Sequence, residues 1–98
     1  MPDIIFNGPD GRLEGRYQHG TKPRAPICVV LHPHPLYGGT MNNKVAYTLY
    51  RSFAQAGFSV LRFNFRGVGR SEGAWDKGEG ELSDAGAALD WLALHNED

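Results

Sequence analysis

At 98 residues the chain has room for one small domain, which buries roughly 60–70% of the surface its unfolded form exposes. The net charge is −1 and the basic residues are scattered from Arg12 to Lys77, so neither nucleic acid nor an anionic membrane is expected as a partner. The opening Met1-Pro2-Asp3-Ile4 lacks the regions of a signal peptide, no apolar run approaches the roughly 18 residues of a membrane span, and the single cysteine, Cys28, sits in an apolar run as an inert thiol, so the expected compartment is the reducing cytoplasm.

In chain order, Ile4-Ile5-Phe6 leads into the turn-forming Asn7-Gly8-Pro9-Asp10-Gly11. Leu13, Gly15 and Tyr17 then alternate with charged residues, which predicts an antiparallel hairpin. Residues 19–26 form a polar loop, and Ile27 to Leu31 runs apolar without alternation, as a strand buried on both faces does. Asn42 or Asn43 caps a helix that turns Val45, Ala46, Leu49 and Phe53 inward and stops at Gly57. A further strand covers Phe58 to Phe65, with Phe58, Val60, Arg62 and Asn64 on one side and Ser59, Leu61, Phe63 and Phe65 on the other. Its polar residues cluster late, so the strand is expected to leave the core at Asn64. After a glycine-rich stretch from Gly67 to Gly80, Leu82, Ala85, Leu89 and Leu92 recur at helical spacing, with Glu79, Glu81 and Asp84 near the helix start. The order predicts an α/β fold: an antiparallel hairpin, one right-handed β-α-β crossover and a final helix with no strand to cross to.

Gly69-Arg70-Ser71-Glu72-Gly73 fits the G-x-S-x-G pattern of a nucleophile elbow, which needs a strand entering the serine and a helix leaving at once. Ser71 lies six residues past Phe65, and nine further residues separate it from the helical pattern. Downstream the only histidine is His95, with Asp84 and Asp90 on or beside the same helix, a poor arrangement for returning acid and base to this serine. Ser71 therefore reads as a loop residue. Gly67-Val68-Gly69 lacks the third glycine of a dinucleotide fingerprint, since position 72 is Glu, and no phosphate-binding loop pattern occurs.

His32-Pro33-His34-Pro35 admits three readings. The two histidines stand two apart and could ligate a metal, although His19 and His95 are the only further histidines. Alternatively the prolines stiffen a turn. In the third reading they fix the direction of the His34 N–H at the end of a central strand, as an oxyanion hole requires, while Tyr37-Gly38-Gly39-Thr40 lets backbone approach a ligand.

The strings HPHPLYGGTM (residues 32–41) with Asn43-Lys44-Val45, LRFNFRGVGRSEG (residues 61–73) and GELSDA (residues 80–85) with Ala88-Leu89-Asp90-Trp91-Leu92 together resemble the α/β-hydrolase superfamily, and within it small bacterial hydrolases related to dienelactone hydrolase. The resemblance implies that the backbone N–H of His34, and secondarily of Leu36, serves the oxyanion hole, with Tyr37, Gly38 and Gly39 on the substrate side. It implies that the loop carrying Ser71 is structural, that the nucleophile, acid and histidine lie beyond Asp98, and that residues 1–98 are the amino-terminal part of one such domain. The whole protein is then expected to cleave a small-molecule carboxylic ester or related acyl bond without a cofactor, this portion being inactive alone. In that sheet order the strand Ile27–Leu31 is left as an open apolar edge, a template for association. The alternative is a non-catalytic module pairing that edge with a partner chain, most simply a complementary carboxy-terminal segment.

Overall fold

The computed structural model describes residues 3–21, 24–32 and 39–96. Its elements are β1 (Asp3–Gly8), β2 (Gly11–Gln18), β3 (Ile27–Val30), α1 (Lys44–Gln55), β4 (Ser59–Phe63) and α2 (Glu79–Leu94). The strands form one sheet in the order β1-β2-β4-β3. β1 and β2 are antiparallel with Gly8 opposite Gly11, so Pro9 and Asp10 alone make the turn, and Gly11 leaves it at φ 128°, where a side chain would be strained. β2 runs antiparallel to β4, and β3 runs parallel to β4. The predicted hairpin and strand–helix–strand unit are both present, and β3 is an edge strand.

β4 is central to both cores because its side chains alternate. Leu61 and Phe63 join Phe6, Leu13, Phe65, Ala85, Ala88 and Leu92 under α2. Val60 joins Val30, Ala46 and Tyr50 under α1. The helices therefore cover opposite faces of the sheet. Asn43 caps α1, its side-chain oxygen accepting from the N–H of Val45 at 2.9 Å, and Gly57 follows the helix at φ 93°, the left-handed conformation of a C′ glycine.

The helix faces differ from the predicted ones. On α1 the inward residues are Ala46 and Tyr50, with Phe53 packed beside them, whereas Val45 and Leu49 are 64% and 43% exposed. On α2 they are Ala85, Ala88 and Leu92, whereas Leu82 and Leu89 are exposed. On α2 the reason is packing distance: small residues let a helix approach the sheet, so Ala85 and Ala88 face it while Leu82 and Leu89 flank the contact; on α1 the fully buried Tyr50 fills that place. β4 also departs from expectation, since the ladder ends at Phe63 but Asn64, Phe65 and Arg66 all stay buried. Their polar groups remain inside because each has a partner there.

Candidate functional site

The carboxyl ends of β3 and β4 lie side by side, and β4 supplies the groups that hold the neighbouring loops. Asn64 accepts the Met41 N–H on Oδ1 at 2.7 Å and donates from Nδ2 to Glu14 Oε1 at 2.7 Å. Arg62 donates from Nη1 to the Met41 carbonyl at 2.8 Å and to Asn42 Oδ1 at 2.7 Å. Its guanidinium carbon lies 5.1 Å from the centroid of the Tyr47 ring and 4.8 Å from that of Tyr50, so π faces stabilise a cation almost entirely removed from water. Burial pulls the Arg62 pKa below its ordinary value.

At the other end of the same connection, His32 is buried and its Nε2 accepts the Phe65 N–H at 3.1 Å. The ring meets Phe65 edge-on at 4.8 Å. The neutral ring then carries its proton on Nδ1, and the Nε2 lone pair is already engaged rather than available to a metal. His34, Leu36, Tyr37 and Gly38 lie outside the described residues. Gly39 is described and buried. No group of three or more His, Cys, Asp or Glu suited to a metal occurs among the described residues.

Ser71 sits in the loop between β4 and α2, buried, with its hydroxyl doubly engaged. Oγ donates to the Asn64 carbonyl at 2.6 Å and accepts the Glu14 N–H at 3.0 Å. Its neighbours fasten the same loop to β2: Arg70 N–H donates to Glu14 Oε1 at 2.7 Å, Arg12 N–H donates to Glu72 Oε1 at 2.7 Å, and Glu72 N–H donates to the Arg12 carbonyl at 2.7 Å. The Arg12 N–H, followed by the Arg12 side chain, holds the Glu72 carboxyl below its usual pKa. Gly69, at φ 54°, passes so close to the Glu14 carboxylate and the Asn64 amide that a Cβ there would strike both. Gly69 serves close approach to Glu14 and Asn64, and Gly73 close approach to Asp10 and Arg66, rather than a strand-to-helix elbow.

The acidic and imidazole groups downstream have other partners. Asp84, fully buried, accepts from Arg66 N, Nε and Nη2 at 3.0, 3.1 and 2.9 Å. The Asp84 hydrogen bond holds the Arg66 pKa above its ordinary value despite burial. Asp90 is exposed. His95 stacks on Trp91 at 3.9 Å, its Nδ1 lying 2.8 Å from the Trp91 carbonyl, and His19 Nδ1 meets the Tyr17 hydroxyl at 2.5 Å. Glu81 reaches back to the N–H groups of Asp76 and Gly78, each at 2.9 Å, closing the start of α2. Cys28 is half-buried, and that burial raises its thiol pKa, which disfavours the reactive thiolate. The residues that sequence patterns missed are Arg62, Asn64 and Glu14; the available signal was polar side chains at inward positions of a central strand.

Residues 17–98 match the X-Pro dipeptidyl-peptidase (S15) family. An uncharacterised protein of Rickettsia prowazekii is 62% identical over 96 residues, taking in 98% of this chain and 40% of its own length. A solved structure from Agrobacterium tumefaciens, of a protein of unknown function offered as a candidate α/β hydrolase, superposes with a TM-score of 0.95 at 58% identity, over 97% of this chain and 44% of that one. An α/β serine hydrolase homologue from Coxiella burnetii gives a TM-score of 0.88 at 42% identity, over 97% and 46%. The chain thus spans less than half the length of these relatives. Its mixed sheet and covering helices agree with the sequence match: the chain belongs to the X-Pro dipeptidyl-peptidase (S15) family of α/β serine hydrolases.

Proposed function

We propose that this chain is the amino-terminal, oxyanion-hole-bearing portion of a cytoplasmic serine hydrolase that cleaves a small-molecule carboxylic ester or related acyl bond, and that it is inactive alone. The observation that carries the reading is the fastening of the β3–α1 connection at both ends to the carboxyl end of β4, through His32 and Phe65 and through Met41 and Asn64. An oxyanion donor must be fixed before charge develops on the carbonyl oxygen, and such preorganisation is worth about 10²–10³ in rate per donor. The backbone N–H of His34, and after it of Leu36, is assigned that role by the resemblance, with Tyr37, Gly38 and Gly39 beside the acyl group.

In the reaction proposed, a serine supplied by the remainder of the protein attacks the carbonyl while a histidine takes its proton. The oxyanion is held by the corner's N–H groups, the alcohol leaves with that proton, and water then releases the acid. No cofactor takes part in that sequence. The resemblance to dienelactone hydrolase supports the same acyl chemistry. The Ser71 hydroxyl, engaged on both sides by backbone, is not offered as the nucleophile. Ile27, Leu31, Val45, Leu49, Leu82 and Leu89 are all exposed apolar residues, and they favour a remainder that covers β3 and both helix flanks.

The test is to join residues 1–98 to the remaining part of the Agrobacterium tumefaciens protein and treat it with a fluorophosphonate probe. The expected result is labelling at a serine outside residues 1–98, hydrolysis of p-nitrophenyl acetate, and no labelling of the 98-residue chain. A folded, unlabelled fusion, or labelling at Ser71, overturns the proposal. A second reading, a non-catalytic edge-pairing module, is favoured by β3 having, among the described residues, a strand partner on one side only, with Leu31 50% exposed beyond it. It requires a soluble complex with a separate carboxy-terminal segment that does not label, and loss of that complex in Val29→Pro.

A further inference from the structure

We infer that Asn64 is a positioning residue of the hydrolase, holding the segment that enters α1 through the Met41 amide, and that the Ser71 loop exists to hold Asn64. The inference deepens the function proposed above and rests on it.

The contacts converge on this residue and on Glu14 beside it. Asn64 is 3% exposed, and its two amide ends are each committed, Oδ1 to the Met41 N–H and Nδ2 to Glu14 Oε1, both at 2.7 Å. Because the two ends of a carboxamide differ chemically, one accepting and one donating, this pair of bonds fixes its orientation as well as its place. Ser71 Oγ donates to the Asn64 carbonyl at 2.6 Å, so the backbone of the same residue is held from the loop side. Glu14 Oε1 also accepts the Arg70 N–H at 2.7 Å, and Gly69 lies flat against both Glu14 and Asn64. The chain of contact therefore runs from Gly69, Arg70 and Ser71 through Glu14 and Asn64 to Met41.

Arg62 grips the other side of the Met41 peptide and Asn42, and Phe65, next to Asn64, donates to His32. Three β4-derived positions, 62, 64 and 65, thus hold the two ends of one connection. A fixed Met41 amide sets where the chain entering α1 begins, and a displacement of about 1 Å in a positioning element can cost about 10²-fold in rate. Asn64 acts through Met41 and not by touching substrate.

The experiment uses the fusion described above. Asn64→Asp keeps the acceptor for Met41 but sets a carboxylate against that of Glu14. The expected loss is about 10- to 100-fold in kcat, with KM changed less than about threefold, because ground-state binding does not depend on the developing charge. Adding Glu14→Gln removes the like charge and returns a donor to the Asn64→Asp carboxylate, at the cost of the Arg70 N–H, which shares the Glu14 Oε1 acceptor with Asn64. The double variant is expected to recover at least about threefold of the lost kcat. Asn96→Ala, which removes bonds to the Leu92 carbonyl and the Ser59 hydroxyl, serves as a stability control and should leave kcat unchanged. If kcat survives in Asn64→Asp, if the loss lies in KM, or if Glu14→Gln gives no recovery, the positioning role is overturned while the hydrolase reading stands. An unsubstituted fusion that neither labels nor hydrolyses ester overturns both.

Discussion

Ser71→Ala separates a structural hydroxyl from a catalytic one. The substitution removes the donor to the Asn64 carbonyl at 2.6 Å and the acceptor for the Glu14 N–H at 3.0 Å, and Ser71 is 7% exposed, so bulk water does not replace the hydroxyl freely. Leaving a buried backbone group without a partner costs about 1–3 kcal/mol, and two such groups set the expected loss at about 2–4 kcal/mol after partial relaxation. A domain of this class holds only about 5–15 kcal/mol in total. For the fused protein, at about 2–4 °C per kcal/mol, the melting temperature should fall by about 4–16 °C. Circular dichroism at 222 nm measures that shift, and fluorophosphonate labelling of the same samples at low temperature measures the nucleophile. The expected pair of results is a lower melting temperature with labelling retained. An unchanged melting temperature with labelling abolished would refute the reasoning, because it would make Ser71 the reacting group.

Two further substitutions test the supports around the loop. Asp84→Ala leaves the buried Arg66 cation with only the longer, exposed pair to Asp10 at 3.7 Å, at an expected cost of about 3 kcal/mol in urea unfolding. Asp84→Leu with Arg66→Met should recover more than half of that loss, and equal losses in single and double variants would contradict the assignment. For Glu81, burial works to raise the carboxyl pKa, but the N–H groups of Asp76, Glu81 itself and Gly78 hold it below its ordinary value of 4.5. A depressed folded value means that the unfolded chain binds the proton more readily, so this stabilisation is present above about pH 4.5 and is lost as the pH falls through the lower folded value. Glu81→Gln should flatten that acid limb of the stability curve, and an unchanged limb in pH-dependent urea titrations would exclude Glu81 as its source.

Much of the fold was legible because it rests on local chemistry. The hairpin followed from Asn7 to Gly11, the α1 cap from Asn42 or Asn43, of which Asn43 serves, the helix stop from Gly57, and the two faces of β4 from strict alternation. The helix flanks were not legible, because Leu82 and Leu89 carry the strongest apolar signal on α2 while Ala85 and Ala88 make its closest contact with the sheet. Periodicity reports which face is apolar but not how near the sheet each residue lies. The same leucines are what a further layer of structure would need, so the pattern fits a larger assembly better than it fits these residues taken alone.

Asn64 shows a different limit. A polar residue late in an apolar strand ordinarily marks the point where the strand meets water, and that inference fails here because Asn64 has a donor and an acceptor waiting on opposite sides, at residues 41 and 14 respectively. Those partners come from separate elements, so no spacing rule relates them. The GRSEG pattern misleads for a related reason: a serine between glycines suits any tight loop whose backbone must press against a neighbouring strand, and an elbow is only one such loop. What distinguishes the two is where Oγ points. In an elbow it faces the reacting carbonyl; here it bridges Asn64 and Glu14, which makes the serine part of the scaffold that orients Met41.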